Sequence, residues 1–183
     1  MHSILSRLCV EHGRMKILLT SLEAMLESLD RGEKEALLTL QDIVEYMVEY
    51  PDLYHHPLED SIFQRLQSHD NDARFAINQL REEHSELRVL AERFLNLLLA
   101  ALNDQAVSGQ QIRDSGRRYL KLQLDHMSQE EYTVFPWANR ELDARDWEAI
   151  ETQICLQPDP VFDESDNIRF DSLRRVLNST LVQ

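Results

Sequence analysis

The sequence predicts an all-α protein built as an up-down-up-down four-helix bundle with extra C-terminal helical segments. Three observations carry this expectation. Only 4 of the 183 residues are Gly and 5 are Pro, against 43% hydrophobic and 28% charged residues, a composition of long helices and not of turn-rich β-sheet. Apolar residues recur in alternating steps of three and four over several long stretches, which is the period of one helical face. The chain also repeats itself. His12 and His55 form one pair and His84 and His126 a second of nearly equal separation, each followed four residues on by Glu59 or Glu130.

The first helix is read from positions 5, 8, 12, 15, 19, 22, 26 and 29, where Leu, Leu, His, Met and four Leu make a stripe with His12 inside it. Asp30-Arg31-Gly32 supplies a stop and a short turn. The second helix runs from about Glu33 to Tyr50, pauses at Pro51 and resumes through Leu66. Pro57 removes a backbone donor and crowds the carbonyl of Leu53, so a kink or a fresh start is expected there. Such a kink leaves open whether His55 or His56 turns inward. A polar turn at residues 68–72 precedes a third helix, whose inward row is Ile77, Leu80, His84, Leu87, Ala91, Phe94, Leu98 and Ala101. After the loop Asn103–Gly109 the fourth helix presents Ile112, Gly116, Tyr119, Gln123, His126, Glu130, Thr133 and Trp137. Beyond it, Asp143 or Asp146 caps a short helix reaching Ile154, Gln157–Asp166 is a Pro/Asp linker, and Ile168–Leu177 is amphipathic. Residues 1–140 are thus expected to form the bundle, and 141–183 an extension packed on the bundle or on a partner.

A chain of this length can remove roughly 70% of its unfolded surface from water, enough for one well-cored domain. The formal net charge of −14 opposes nucleic acid or an anionic membrane as partner, since both require clustered Lys and Arg. The N-terminus lacks the apolar run of a signal peptide, and no stretch is apolar enough to span a bilayer, so a soluble cytoplasmic protein is expected. Cys9 and Cys155 form no CxxC pair and suggest no disulfide framework.

Short connections make sequential helices antiparallel neighbours, so all four His positions can share one level. A His and a Glu four residues apart lie on one helical face. His12, His55, Glu59, His84, His126 and Glu130 would then converge on one interior point. One His on an apolar stripe is usually a satisfied core residue, but four with two Glu at matched spacing ask for metal. Imidazole suits Fe, Zn, Cu and Ni, and carboxylate bridges and neutralises harder ions. Zinc-protease HExxH is absent. His2 and His69 are read as solvated, and His56 as a minor candidate acting with Glu59 or Asp60. Tyr119 is read as core that could line a pocket, Tyr54 and Tyr132 as facing elsewhere, and Cys9 as a small hydrophobe. The runs Glu82-Glu83 and Glu130-Glu131 are read as solvated faces apart from Glu130.

These residues resemble the hemerythrin-like HHE cation-binding family over about residues 4–140. The resemblance rests on Glu11-His12, His55-His56-Pro57-Leu58-Glu59-Asp60, Glu83-His84, and His126-Met127-Ser128-Gln129-Glu130-Glu131 ending in Phe135-Pro136. It implies a bundle holding two non-haem iron ions, oxo- and carboxylate-bridged, with the six residues above as ligands; Zn²⁺ or Mn²⁺ would suit the same set. Reversible O₂ carriers of the family use five His. Four His and two Glu look more like members that repair iron–sulfur clusters or respond to nitric oxide. The expected function is binding or reaction with O₂, nitric oxide or peroxide in a stress-response or sensing role. Iron–sulfur repair, iron donation and a non-catalytic, metal-stapled interaction module are alternatives. A diatomic gas or peroxide is the expected partner, with a protein partner or a homodimer through the C-terminal helix as a further expectation.

Overall fold

The structure is a computed structural model, and it describes residues 1–29, 34–153, 158–163 and 168–181. The Asp30-Arg31-Gly32 stop, Ile154 and Cys155 lie outside these residues. Every element among the described residues is helical: α1 (Ser3–Ser28), α2 (Lys34–Tyr50), α3 (His56–His69), α4 (Ala73–Leu102), α5 (Gly109–Gln129), α6 (Phe135–Glu141), α7 (Ala144–Glu151) and α8 (Asp171–Leu181). The α2–α3 column packs against α1 and α4, and α5 closes the ring against α4 and α1. This is the up-down-up-down bundle that the spacing predicts.

Two single π turns interrupt the helices, at Pro51–His55 and at Glu130–Val134. In the first, the N–H of His56 donates to the carbonyl of Pro51, and in the second that of Phe135 donates to Glu130, each five residues back. A proline follows two residues after each turn, Pro57 and Pro136. A missing N–H near the start of the next helical stretch costs no ladder bond, because a wider turn has already shifted the pairing. The fresh start expected at Pro57 is present, since α3 begins at His56 with Pro57 in its first turn. His55 and His56 both keep right-handed helical backbone angles, and α2 continues into α3.

The second π turn corrects the inward row of the fourth helix. One extra residue rotates the face that follows, so Thr133 is exposed while Val134, Phe135 and Ala138 are buried. Trp137 is half-buried, with its indole N–H donating to Asp70.

Two apolar clusters fill the bundle. One holds Leu19, Leu22, Tyr46, Phe94 and Tyr119, and the other Leu5, Leu8, Ile62, Phe63 and Phe135. Gly116 sits where α5 approaches its neighbours closely: a Cβ there would lie 2.7 Å from Leu26 and 2.9 Å from Phe94. Asp143 caps α7 in a reciprocal capping box with Asp146. His69 is exposed, as expected, while His2 is partly buried, and each has a partner. His2 accepts from the Ile4 N–H and stacks on Trp147 at 4.1 Å, and His69 pairs with Asp146 at 2.9 Å.

The C-terminal segments lie on the α1–α2 side. Asp159 is fully buried, accepting from the backbone N–H groups of Val161 and Phe162 and from the Tyr46 hydroxyl. Arg14 reaches across to Asp163 at 2.6 Å. Helix α8 packs on α2, with Leu173 and Leu177 buried and Phe170, just before it, edge-on to Tyr46. No described helix is long and apolar enough to cross a membrane.

Candidate metal centre

Between the two apolar clusters lies a layer of buried polar side chains. His12 is on α1, His55 ends the first π turn, Glu59 is on α3, His84 on α4, His126 on α5, and Glu130 opens the second π turn. All six candidates from the sequence come together. His12, Glu59 and Glu130 have no exposed surface, and His126 and His55 are almost as enclosed.

The carboxylates lie between two imidazole pairs. Oε1 of Glu59 is 3.0 Å from His55 Nε2 and 3.5 Å from His12 Nε2, while its Oε2 is 3.5 Å from His84 Nε2. Glu130 mirrors this arrangement. Its Oε2 is 3.4 Å from His12 Nε2, and its Oε1 is 3.3 Å from His126 and 3.7 Å from His84. Each glutamate thus offers one oxygen to the His12/His55 half and the other to the His84/His126 half.

Four imidazoles, three of them buried, have their outer nitrogen fixed by a carboxylate. His12 Nδ1 is 3.0 Å from Glu131, His55 Nδ1 is 2.7 Å from Glu11, His126 Nδ1 is 2.9 Å from Glu83, and His56 Nδ1 is 3.1 Å from Asp52. These acceptors are held in turn by Lys16 on Glu131, Arg7 and Tyr50 on Glu11, and Arg88 on Asp52. A carboxylate on Nδ1 places the proton there and turns the Nε2 lone pair inward, the arrangement found behind metal-bound histidines. By spacing alone Glu83 and Glu131 read as solvated faces and Asp52 goes unmarked, yet all three back an imidazole. Their signal was only position, since each lies next to a ligand candidate or one helical turn from an imidazole.

The inward atoms lack ordinary partners. Both oxygens of Glu59, both of Glu130, and Nε2 of His84 and His126 are buried without a hydrogen bond. His12 Nε2 and His55 Nε2 face each other at 2.9 Å with both outer nitrogens engaged. Two lone pairs at that distance repel unless a cation lies between them, and two ligands about 2.1 Å from one ion at a right angle are about 3 Å apart. Unpaired buried polar atoms are costly. The donor set therefore fits a pair of cations.

The electrostatics point the same way. Burial works against charge on His55 and His126, yet the pull of Glu59 and Glu11 on the first and of Glu130 and Glu83 on the second lifts both to about 10. His84 rises to about 8, burial again being outweighed by Glu130 and Glu59. Despite their burial, Glu59 and Glu130 are held below the usual carboxylate range by the surrounding imidazoles. Without metal, protons occupy the layer that cations would fill.

A model of the hemerythrin HHE cation-binding domain matches residues 3–138. The chain belongs to that family. No curated protein matches it. In this hemerythrin-like domain the match spans α1 through most of α6 and includes all six converging residues. Tyr54 and Tyr132 point away from the site and are exposed, and Tyr119 is core, with its hydroxyl directed to Gln123. Cys9 is half-buried against the Leu5 cluster.

Proposed function

We propose that the protein is a non-haem di-iron protein that binds or reacts with O₂, nitric oxide or peroxide in a stress-response or sensing role. One observation carries the reading: two buried glutamates, each without a hydrogen bond, whose paired oxygens address two separate imidazole pairs. His12 and His55 would hold one ion and His84 and His126 the other, with Glu59 and Glu130 shared between them. The mixture of imidazole and carboxylate suits iron, whose charge changes between oxidation states the carboxylates balance. When bound, the ion pair supplies one-electron redox chemistry and an open coordination position for a small ligand.

The chain's own groups set the conditions for that chemistry. Glu131, Glu11 and Glu83 orient their imidazoles and would leave Nε2 free to hold bound ions. The Leu5 and Leu19 clusters exclude water on either side, which strengthens the electrostatic hold of the layer. The net charge of −14 disfavours an anionic partner, which agrees with a small neutral ligand.

Metal analysis with an optical spectrum, on protein purified in air without a metal-affinity tag, tests the reading. About two irons per chain, near-ultraviolet charge-transfer absorption and a spectral change on adding nitric oxide or peroxide are expected. Zinc or no metal, with no uptake of anaerobic Fe²⁺, would refute it.

A further inference from the structure

Three tyrosines follow one another in steps of four along α2 and the first π turn. Tyr46 and Tyr50 stack with ring centroids 5.5 Å apart and planes 7° from parallel, and Tyr50 and Tyr54 lie 5.6 Å apart at 49°. Tyr50 is buried, whereas Tyr54 keeps 38% of its surface in solvent. The row therefore runs from the interior to the outside by direct ring contact.

Its middle member touches the support of the metal layer. The Tyr50 hydroxyl donates to Glu11 Oε1 at 3.2 Å, and the other oxygen of Glu11 lies 2.7 Å from His55 Nδ1. Packing alone would be served by phenylalanine at position 50. Burial, with Glu11 and Asp159 nearby, pushes the Tyr50 hydroxyl above its ordinary value, so it keeps its proton until an electron leaves. Despite its own burial, Glu11 is held below the usual carboxylate range by His55 and Arg7, which leaves it ionised as the acceptor of that hydrogen bond. Tyr46 is the closed end of the row, with its hydroxyl on the buried Asp159. The His12/His55 half is itself sealed, His12 having no exposed surface, so a reductant in solution cannot touch it.

Resting on the di-iron reading, we infer that Tyr54 and Tyr50 form an electron relay, through which a one-electron donor at the surface supplies the enclosed half of the layer by way of Glu11 and His55. Peroxide is the oxidant. Tyr50 gives up one electron towards the layer while its proton moves along the hydrogen bond to Glu11. Tyr54 then returns an electron to Tyr50, the proton goes back from Glu11, and Tyr54 releases its own proton to water. A neutral phenolic donor restores Tyr54 with one hydrogen atom. Two such passages consume one peroxide and one hydroquinone and yield two waters and one quinone.

Freeze-quench electron paramagnetic resonance of the iron-loaded protein mixed with peroxide tests this, with hydroquinone as the donor. Wild type should give a tyrosyl signal, identified by its narrowing in protein carrying ring-deuterated tyrosine, which hydroquinone removes. Tyr50→Phe, which keeps the stack, should lose the signal with an unchanged circular dichroism spectrum. Tyr54→Phe should form it and hold it several-fold longer against hydroquinone, because the outlet to the surface is gone. Tyr132→Phe, at an exposed tyrosine outside the row, should behave as wild type. An undiminished signal in Tyr50→Phe, wild-type decay in Tyr54→Phe, or no tyrosyl signal in a wild type that holds two irons and changes its optical spectrum with peroxide would overturn the relay and leave the di-iron reading intact. A wild type that takes up no iron would overturn both.

Discussion

At the scale of single residues, the centre depends on groups behind the ligands as much as on the ligands. Glu83 is a case in point: its carboxylate holds His126 Nδ1 and is held below its ordinary range chiefly by that imidazole. Glu83→Gln should leave the fold intact and weaken metal binding about 10–100-fold, read by competition with a chelator. The protons that stand in for metal give a second prediction. His55 and His126 sit at about 10 in the fold against an unfolded value of 6.5. A pKa raised by folding stabilises fully below the unfolded value, and the contribution fades as pH rises through the folded one. Melting temperature of the metal-free protein should therefore fall between about pH 6.5 and pH 10, and the metal-loaded protein should lose much of that dependence because the ligating nitrogens carry no proton. Equal pH profiles for the two forms would contradict it. The six inward residues were legible in the sequence because a His and Glu pair repeats at helical spacing. Glu83, Glu131 and Asp52 were not, because a carboxylate on the flank of a helix has the same sequence signature whether it faces water or an imidazole.

At the scale of elements, periodicity carried the reading as far as the backbone stayed α-helical. The rows of α1 and α4 bury as expected, with His84 keeping a small exposed edge, and that of α5 does so up to Glu130. The row fails at Thr133, and Trp137 reaches the core only in part, because the π turn at Glu130–Val134 adds a residue that a three-four rule cannot see. Pro57 is legible as the start of a new helical stretch, but the π turn that precedes it has no signature in the three-four spacing. Packing between elements makes its own demand at Gly116, where α5 meets Leu26 and Phe94. Gly116→Ala gains helix propensity and still should destabilise by about 1–3 kcal/mol, since overpacking a filled site outweighs the propensity gain. Chemical denaturation would show a lower midpoint with unchanged slope. A higher midpoint would mean that the Leu26 and Phe94 side chains move aside at little cost.

At the scale of the whole molecule, the chain separates a scaffold from a polar layer that runs across it. Asp159 belongs to the scaffold. Fully buried, it ties residues 158–163 to Tyr46 on α2 and so to the side on which α8 rests. Asp159→Ala should cost about 1–3 kcal/mol by stranding the N–H groups of Val161 and Phe162 and the Tyr46 hydroxyl, while leaving the number of bound metal ions unchanged. A loss of metal would tie the C-terminal segments to the centre itself. The position of the polar layer also decides how the molecule opens. Apolar packing lies on both sides of it, and α1, α4 and the α2–α3 and α5–α6 columns pass through it, so the amides at its level are the least supported when no cation is present. Native-state hydrogen exchange of the metal-free protein should therefore resolve two separate islands of slow amides, one around Leu19 and Phe94 and one around Leu5 and Phe63, with a faster belt between them. Loading with metal should merge the two islands into one, so that a single cooperative unit replaces two halves joined by a soft waist.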